Sequence, residues 1–210
     1  MNFKNLVFKN HQKKDHKINV AILMSGSGSN ARNILTNQKQ YPNLDFKVIV
    51  TDNIFSNAVQ IGKEFGVSTF CFDLGKADFF KKTTKALHAE KIDLVVYAGL
   101  MKIAPERFVT EFKGFNIHPA DLRKKDANGV PLYRGMNCIY DTIVAGEKEL
   151  VSTAYWVNEK VDDGEIIDVS QPVPISLENL SDIKLLHEKL KTNEFALFQK
   201  VLTKISNNNI

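Results

Sequence analysis

Apolar runs alternate with amphipathic segments along the first half of the chain. Runs rich in Val and Ile predict buried strands at residues 18–24, 46–51, 67–72 and 94–97. The segments between them carry apolar residues at helical spacing and predict helices at 31–38, 56–65 and 77–90. Strands of nearly continuous apolar content that alternate with helices indicate a parallel sheet covered on both faces.

The second half of the chain has a different pattern. It predicts a strand at 112–117, a helix at 136–145, strands at 151–157 and 166–173, and a terminal helix at 181–205. The short connection between the last two strands makes them an antiparallel hairpin. The predicted fold class is therefore α/β: a doubly wound, Rossmann-like, mostly parallel sheet with an antiparallel edge hairpin and a terminal helix.

Charge divides the 210 residues into two parts. Residues 1–17 contain five Lys and one Asp, which equals the net charge of +4 for the whole chain, so residues 18–210 are neutral. We expect 1–17 to be a mobile basic extension and 18–210 to form a single domain. A neutral body lacks the broad basic face that duplex nucleic acid requires, so we expect no nucleic-acid partner.

Apolar runs and cysteines narrow the class of protein further. No run approaches the roughly 18 apolar residues of a membrane span, and the start of the chain has no secretory pattern, so we expect no membrane partner. Cys71 and Cys138 lie far apart, and both are predicted to be small core residues of a protein in the reducing cytoplasm.

A glycine-rich loop follows the first predicted strand and opens a helix. Its glycines allow close approach of an anion, and the helix N-terminus supplies unpaired N–H groups, so a phosphate is the expected ligand. The candidate phosphate-binding residues are Gly26, Ser27, Gly28, Ser29 and Asn30. Two alternatives stay open. The loop could be a plain helix-capping turn, or a G-x-G-x-x-A dinucleotide fingerprint with Asp52 on a ribose, as in a nicotinamide-dependent oxidoreductase.

A second candidate site is the strand end Asn116-Ile117-His118-Pro119. Alternation along a strand places Asn116 and His118 on one side, about 7 Å apart. Pro119 cannot extend the ladder, so the histidine is predicted at the strand tip. An amide can donate to a developing oxyanion and an imidazole can relay a proton, although a lone histidine is more often structural.

An acidic turn, Val161-Asp162-Asp163-Gly164, lies within the predicted hairpin. A solvated turn is the simpler interpretation, but one of these acids beside His118 would raise the pKa of the imidazole. The chain has no G-x-S-x-G nucleophile motif and no zinc-type Cys/His cluster, so we expect direct group transfer with no metal.

Four segments together resemble the folate-dependent formyltransferases. They are VAILMSGSGSN, YAGLMKIAPERFV, NIHP and NEKVDDGEII, and the resemblance extends from about residue 18 to 202. It implies a formyltransferase fold and 10-formyltetrahydrofolate as co-substrate. It further implies transfer of the formyl group to an amine, most closely the amine of glycinamide ribonucleotide in purine biosynthesis. It is compatible with a monomer or a homodimer.

The resemblance also implies roles for individual residues. Asn116, His118 and Asp162 match the family's catalytic trio, with Asp162 rather than Asp163 at the position of the acid. Glu194 matches a ribose-binding glutamate, and the loop 26–30 matches the family's phosphate loop. The implied folate-binding residues are Leu100, Met101, Lys102, Ile103, Val109, Asn158 and Glu159.

Three departures from the family pattern concern the substrate. Segment 120–135 is longer and more charged than usual, with Tyr133 and Gly135 as displaced equivalents of a family tyrosine and glycine. Lys102 replaces an arginine, and Tyr155 stands where a histidine is common. These departures keep two further alternatives open, a sugar-nucleotide N-formyltransferase and a folate-binding relative without catalytic activity.

Overall fold

The structure, a computed structural model, describes residues 17–73, 75–176 and 183–210. Two compact units make up the chain. The first comprises residues up to 114 together with 202–210, and the second comprises 115–201. The predicted extension 1–17 lies outside the described residues except for Lys17.

Four parallel strands form the first unit's sheet. They are β1 (Ile18–Met24), β2 (Leu44–Thr51), β3 (Ser68–Cys71) and β4 (Leu94–Tyr97). β1 is central, pairs with β2 and β4, and is buried along its whole length. A strand that is covered on both faces must be almost entirely apolar, which explains its sequence INVAILM. Its one polar residue, Asn19, is buried and donates from its side-chain amide to the carbonyl of Lys91.

Five helical segments follow or separate these strands. They are α1 (Ser29–Thr36), a 3-10 turn (Gln38–Gln40), α2 (Ala58–Phe65), α3 (Lys76–Ala89) and α4 (Glu106–Glu111). α2 ends at Gly66, which adopts a left-handed conformation with φ 69°. α4 was not predicted, because six residues are too few to show a helical period, although Pro105 stands at its N-cap.

The second unit begins within β5 (Gly114–His118). It contains α5 (Cys138–Val144), β6 (Glu149–Leu150), β7 (Thr153–Trp156), β8 (Ile166–Val169), β9 (Val173–Pro174) and most of α6 (Ile183–Ser206). β7 pairs antiparallel with both β5 and β8, so the predicted hairpin is confirmed. The first two residues of the predicted terminal helix, 181 and 182, lie outside the described residues.

The predicted strand 166–173 is wrong in its second half. β8 ends at Val169, and β9 pairs instead with β6 in a separate two-stranded sheet. Ser170 uses its hydroxyl to accept a hydrogen bond from the backbone N–H of Ser152, and Pro172 has no N–H to donate. One more backbone hydrogen bond, from the N–H of Ser170 to the carbonyl of Ser152, follows the end of β8, and Pro172 cannot donate a further one.

In the first unit the strands follow the order β3-β2-β1-β4 with parallel pairing, and in the second they follow the order β5-β7-β8 with antiparallel pairing. This order confirms the predicted α/β class with an antiparallel edge. None of the helices in the described ranges is long and apolar enough to cross a membrane.

The two cysteines differ in exposure, so the prediction that both are core residues is half wrong. Cys138 is buried, and burial raises the pKa of its thiol to about 11. Cys71 is exposed, because it is the last residue of the short edge strand β3, none of whose residues is fully buried. Partial desolvation and the neighbouring carboxylate of Asp73 raise its thiol pKa more modestly.

We predict that a disulfide reagent such as dithionitrobenzoate modifies one thiol per native chain at pH 8. Cys71 is accessible, whereas the buried Cys138 should react roughly 100-fold more slowly because its thiolate is desolvated. Absorbance of the released thionitrobenzoate measures both rates. Cys71→Ser should abolish the fast phase, and equal rates at both thiols in the native wild type would contradict this assignment.

Candidate functional site

Asn116 and His118 stand at the carboxyl end of β5. The strand ends at His118 as predicted, because Pro119 follows it. Across the antiparallel ladder, Asn116 is paired with Tyr155 and His118 with Thr153 in β7. His118 is buried, with 6% of its surface exposed, so its ring nitrogens must find partners inside the protein.

The acidic turn brings Asp162 to His118. The imidazole Nδ1 lies 3.6 Å from Oδ2 of Asp162, and both side chains are largely buried. Asp162 has a left-handed backbone with φ 51°, a conformation that few non-glycine residues adopt. Asp163 instead faces the ammonium of Lys125, 3.6 Å away. Of the two adjacent acids, Asp162 is therefore the one beside the histidine.

A hydrogen-bonded chain connects Asp162 to Asn116. The Tyr155 hydroxyl donates to Oδ1 of Asp162 at 2.8 Å and accepts from the amide nitrogen of Asn116 at 3.1 Å. The backbone N–H of Gly135 donates to Oδ2 of Asp162, also at 2.8 Å. The three residues predicted as a trio thus lie in one network, with Tyr155 between two of them.

The other imidazole nitrogen of His118 contacts the segment that departs from the family pattern. Its Nε2 lies 2.8 Å from the backbone carbonyl oxygen of Tyr133. A carbonyl only accepts hydrogen bonds, so Nε2 carries a proton. Nδ1 lies 3.6 Å from Asp162, beyond hydrogen-bond distance, and is therefore the ring nitrogen that remains for a substrate atom.

Sequence reasoning did not assign these supporting contacts, because most of them are made by backbone atoms. Tyr133 contributes its backbone carbonyl and Gly135 its backbone N–H, and every non-proline residue has both groups, so the residue type gives no signal. Thr153 accepts a hydrogen bond from the N–H of Leu122 and donates to the carbonyl of Ala120, which holds the chain after Pro119. The strand register would have indicated Thr153 and Tyr155, since they are the residues opposite His118 and Asn116.

Gly164 allows the acidic turn to lie against β7. A Cβ at this position would fall 1.7 Å from the carbonyl oxygen of Trp156 and 2.8 Å from the ring of Tyr155. Because the nearest atom belongs to the backbone, no side-chain rotation could relieve the clash. The glycine is therefore required by the close approach that places Asp162 beside Tyr155.

Gly164→Ala should lower the free energy of unfolding by about 1–3 kcal/mol, the typical cost of overpacking, and toward the upper end because the nearest atom belongs to the backbone. Urea denaturation followed by tryptophan fluorescence measures this loss. Gly75→Ala is the matched control, because a Cβ at Gly75 would meet nothing within 4 Å, and it should cost less than about 1 kcal/mol. Equal stabilities for the two variants would show that the turn does not need its glycine.

Glu194 is a partly buried acid on α6. Desolvation raises the pKa of its carboxyl group to about 7, opposed by a hydrogen bond from the Ser152 hydroxyl and by the charge of Lys191. The Ser152 oxygen lies 3.2 Å from Oε1 of Glu194. At neutral pH this carboxyl group is therefore a partly ionised hydrogen-bonding group, suited to polar partners such as hydroxyls.

We predict that stability falls as the pH rises from about 4.5 to about 7 through Glu194. The pKa of Glu194 is higher in the folded than in the unfolded state, so folding disfavours the charged carboxylate. The resulting loss of stability is absent below the unfolded pKa and complete above the folded pKa, where it is on the order of 3 kcal/mol. Urea denaturation at several pH values, compared with Glu194→Gln, measures it. As the pH rises, the difference in unfolding free energy between Glu194→Gln and wild type should shift by this amount in favour of the variant. A difference that does not depend on pH would contradict the assignment.

In the first unit, the glycine-rich loop joins β1 to α1. Gly28 is left-handed with φ 72° and stands at the N-cap of α1, which starts at Ser29. The side-chain amides of Asn53 and Asn57 donate to the carbonyls of Ser25 and Ser27. These bonds fix the loop backbone, while a Cβ at Gly26 would meet only open space. With no acidic residue in its first turn, α1 directs free N–H groups toward the loop.

The predicted folate stretch Leu100–Ile103 is attached to this loop. The backbone N–H of Met101 donates to the Ser25 hydroxyl at 2.8 Å. The side chains of Met101 and Ile103 are 58% and 54% exposed, which is unusual for large apolar residues and typical of a binding surface. The loop and this stretch therefore form one continuous surface of the first unit.

Lys102 and Asp52 form an ion pair within that unit. The Lys102 ammonium lies 2.9 Å from Oδ2 of Asp52 and 5.7 Å from the centroid of the Phe79 ring. Asp52 is buried, with 8% of its surface exposed. Oδ2 is thus engaged by Lys102, whereas Oδ1 is buried and has no hydrogen-bond partner among the described residues.

The remaining predicted folate residues have mixed environments. Val109 is buried in α4, whereas Glu159 is exposed just before the acidic turn. Asn158 organises that turn, accepting from the N–H of Lys160 and donating to the carbonyl of Asp163. Within the described ranges, no group of three or more His, Cys, Asp or Glu could hold a metal ion.

Comparison with known proteins identifies the family of the chain. A family model described as "Formyl transferase" matches residues 18–202. A phosphoribosylglycinamide formyltransferase of Haemophilus influenzae is 34% identical over 118 residues, which are 55% of this chain and 50% of that protein. The trifunctional purine biosynthetic protein adenosine-3 of Drosophila melanogaster is 28% identical over 197 residues, 90% of this chain and 14% of that protein.

A solved structure supports the same conclusion. The phosphoribosylglycinamide formyltransferase of Bacillus halodurans superposes with a TM-score of 0.78 at 28% identity, covering 89% of this chain and 94% of that one. The chain belongs to the formyl transferase family, which confirms the family predicted from its motifs. It spans about half or less of the curated relatives described above.

Proposed function

We propose that the protein transfers a formyl group from 10-formyltetrahydrofolate to the amine of a phosphorylated substrate, glycinamide ribonucleotide. The observation that carries the proposal is the network of Asn116, Tyr155, Asp162 and His118 at the end of β5. It supplies two hydrogen-bond donors and one acid–base group, the set that acyl transfer to an amine needs. The names of the relatives support glycinamide ribonucleotide as the acceptor.

The first step is attack of the neutral amine on the formyl carbon. A C–N bond forms and the carbonyl π electrons move to oxygen, which gives a tetrahedral oxyanion. The amide N–H of Asn116 and the Nδ1–H of the protonated His118 imidazole are the donors that stabilise this oxygen. Each preorganised donor is worth roughly 3–4 kcal/mol in a site from which water is excluded.

The second step is collapse of the intermediate. The attacking nitrogen must lose a proton and the folate nitrogen must gain one before the bond between that nitrogen and the formyl carbon breaks. Asp162 is the group that accepts the proton, through a water molecule, and returns it to the leaving nitrogen. Tetrahydrofolate and the formylated amine are the products, so no oxidant or reductant is needed.

Binding groups outside the reacting atoms hold the two substrates. The loop residues Gly26 to Asn30 bind the phosphate through backbone N–H groups at the start of α1. Glu194 accepts hydrogen bonds from ribose hydroxyls. Leu100 to Ile103 contact the folate; since the Lys102 ammonium is paired with Asp52, the contribution of Lys102 comes from its backbone.

The assay for this proposal mixes the protein with 10-formyltetrahydrofolate and follows release of tetrahydrofolate spectroscopically. Parallel reactions contain glycinamide ribonucleotide, the same compound without its phosphate, and a nucleotide-linked amino sugar. We expect turnover with glycinamide ribonucleotide and none with the nucleotide-linked amino sugar. Without the phosphate, kcat/KM should be at least roughly 100-fold lower, because the binding energy of the phosphate is lost. Equal rates without the phosphate would remove the assigned role of loop 26–30.

Asn116→Ala and His118→Ala test the assigned roles. Each should lower kcat by roughly 100–1,000-fold, because one oxyanion donor is lost. Binding of glycinamide ribonucleotide, measured by calorimetry, should stay within a few-fold. His88→Ala is the matched control, since His88 is an exposed histidine paired with Glu111. Near-normal turnover of both site variants would refute the mechanism, and no turnover of the wild type with any amine would refute the function.

A further inference from the structure

We propose that Tyr155 is a positioning residue that orients the Asn116 amide toward the reacting oxygen and ties it to Asp162. The inference deepens the proposed function and rests on it for its catalytic consequence. Tyr155 stands where the family resemblance implies a histidine, so the role concerns a residue particular to this chain.

The fold places Tyr155 between two groups of the site. It is paired with Asn116 across β5 and β7, and it is buried, with 3% of its surface exposed. The register between β7 and β8 shifts between Ala154 and Tyr155, an irregularity that re-aims the side chain at this point. Gly164 lets the acidic turn approach the ring of Tyr155, so the hydroxyl reaches Asp162 as well as Asn116.

The direction of each hydrogen bond follows from the chemistry of the three groups. A carboxylate only accepts, so the single phenol hydrogen goes to Asp162 at 2.8 Å. The phenol oxygen then has only lone pairs left for Asn116. It must receive an N–H, so the amide turns its nitrogen, rather than its carbonyl oxygen, to Tyr155 at 3.1 Å.

This directionality determines what Asn116 offers to a substrate. Its nitrogen has two hydrogens, one of which is bound to Tyr155 and the other of which is available to an oxyanion. Without the phenol, the amide can rotate by 180° and present its carbonyl oxygen, which would repel a developing negative charge. The charge of Asp162 therefore acts on the orientation of Asn116 through one hydroxyl group.

Tyrosine and histidine differ in how they could perform this role. Histidine would need two separate ring nitrogens to contact the two partners, and its charge changes near neutral pH. A phenol serves both partners with one oxygen and stays neutral up to about pH 10. Tyr155 therefore holds Asn116 without adding a further group whose charge changes near neutral pH.

The kinetic test compares Tyr155→Phe with wild type. The variant keeps the ring and removes only the hydroxyl, so we expect kcat to fall by roughly 10- to 100-fold with both KM values within twofold. Tyr155→His should restore part of kcat and introduce a new ionisation between about pH 6 and 7 into its pH profile. A merely structural role would produce neither the kcat-only loss nor the new ionisation.

Tyr41→Phe is the matched control. Tyr41 is also fully buried, and its hydroxyl has no hydrogen-bond partner among the described residues. Its removal should leave kcat and both KM values unchanged. An equal loss in this variant, or a Tyr155→Phe enzyme with kcat within twofold of wild type, would overturn the inference.

A measurement that does not depend on turnover separates this inference from the proposed function. In nitrogen-15 NMR spectra, the side-chain amide pair of Asn116 is identified by its disappearance in Asn116→Asp. In Tyr155→Phe, hydrogen exchange of this pair should accelerate roughly tenfold, the effect of losing about 1.4 kcal/mol of hydrogen-bond stabilisation. Unchanged exchange would refute the positioning role, whereas changed exchange in a protein without formyl transfer would refute only the proposed function.

Discussion

The carboxylate of Asp162 is the contact on which the second unit's site depends. Three separate segments meet there: the N–H of Gly135, the hydroxyl of Tyr155 and the imidazole of His118. A buried carboxylate is costly unless hydrogen bonds replace its lost water. The fold meets this requirement with two hydrogen bonds to its oxygens, and the same bonds determine where the neighbouring groups lie.

The backbone around Asp162 is shaped to make these contacts possible. Asp162 takes a left-handed conformation, and Gly164 allows the turn to come within contact distance of Trp156. Strain of this kind persists only where the surrounding structure supports it, and it is common at functional sites. A strained residue and a required glycine in the acidic turn thus fix the position of one carboxylate, that of Asp162. This geometry indicates a functional site more strongly than the acidity of the turn alone.

The first unit also relies on backbone groups. Its glycine-rich loop is held by two asparagine amides and by the bond from Met101 to Ser25, so its own N–H groups stay available at the start of α1. Lys102, expected on the folate, has its ammonium committed to Asp52. This one ion pair changes the interpretation of Lys102, since it weakens a side-chain role for that residue in folate binding.

Local patterns were sufficient for the parts of the protein that depend on neighbours in sequence. The apolar strands, the helices that separate them, the glycine-rich loop and the end of β5 at Pro119 follow from periodicity and backbone restrictions within a few residues. The motifs also predicted Asn116, His118 and Asp162 as one group. They failed for α4, for β8 and β9, and for the exposure of Cys71, where a short element or an edge position leaves no periodic signal.

The contacts that make a site out of these residues come from the three-dimensional arrangement. Several of the hydrogen-bonded partners in the site, such as Asn116 and Tyr155, are far apart along the chain. The Tyr133 carbonyl, the Gly135 N–H and the Tyr155 hydroxyl point at their partners only when strands and turns are packed together. No residue pattern encodes which of two adjacent acids faces a histidine, or which way an amide is turned. Those features are properties of the folded backbone, because a hydrogen bond requires its donor and acceptor to be brought within about 3 Å of each other.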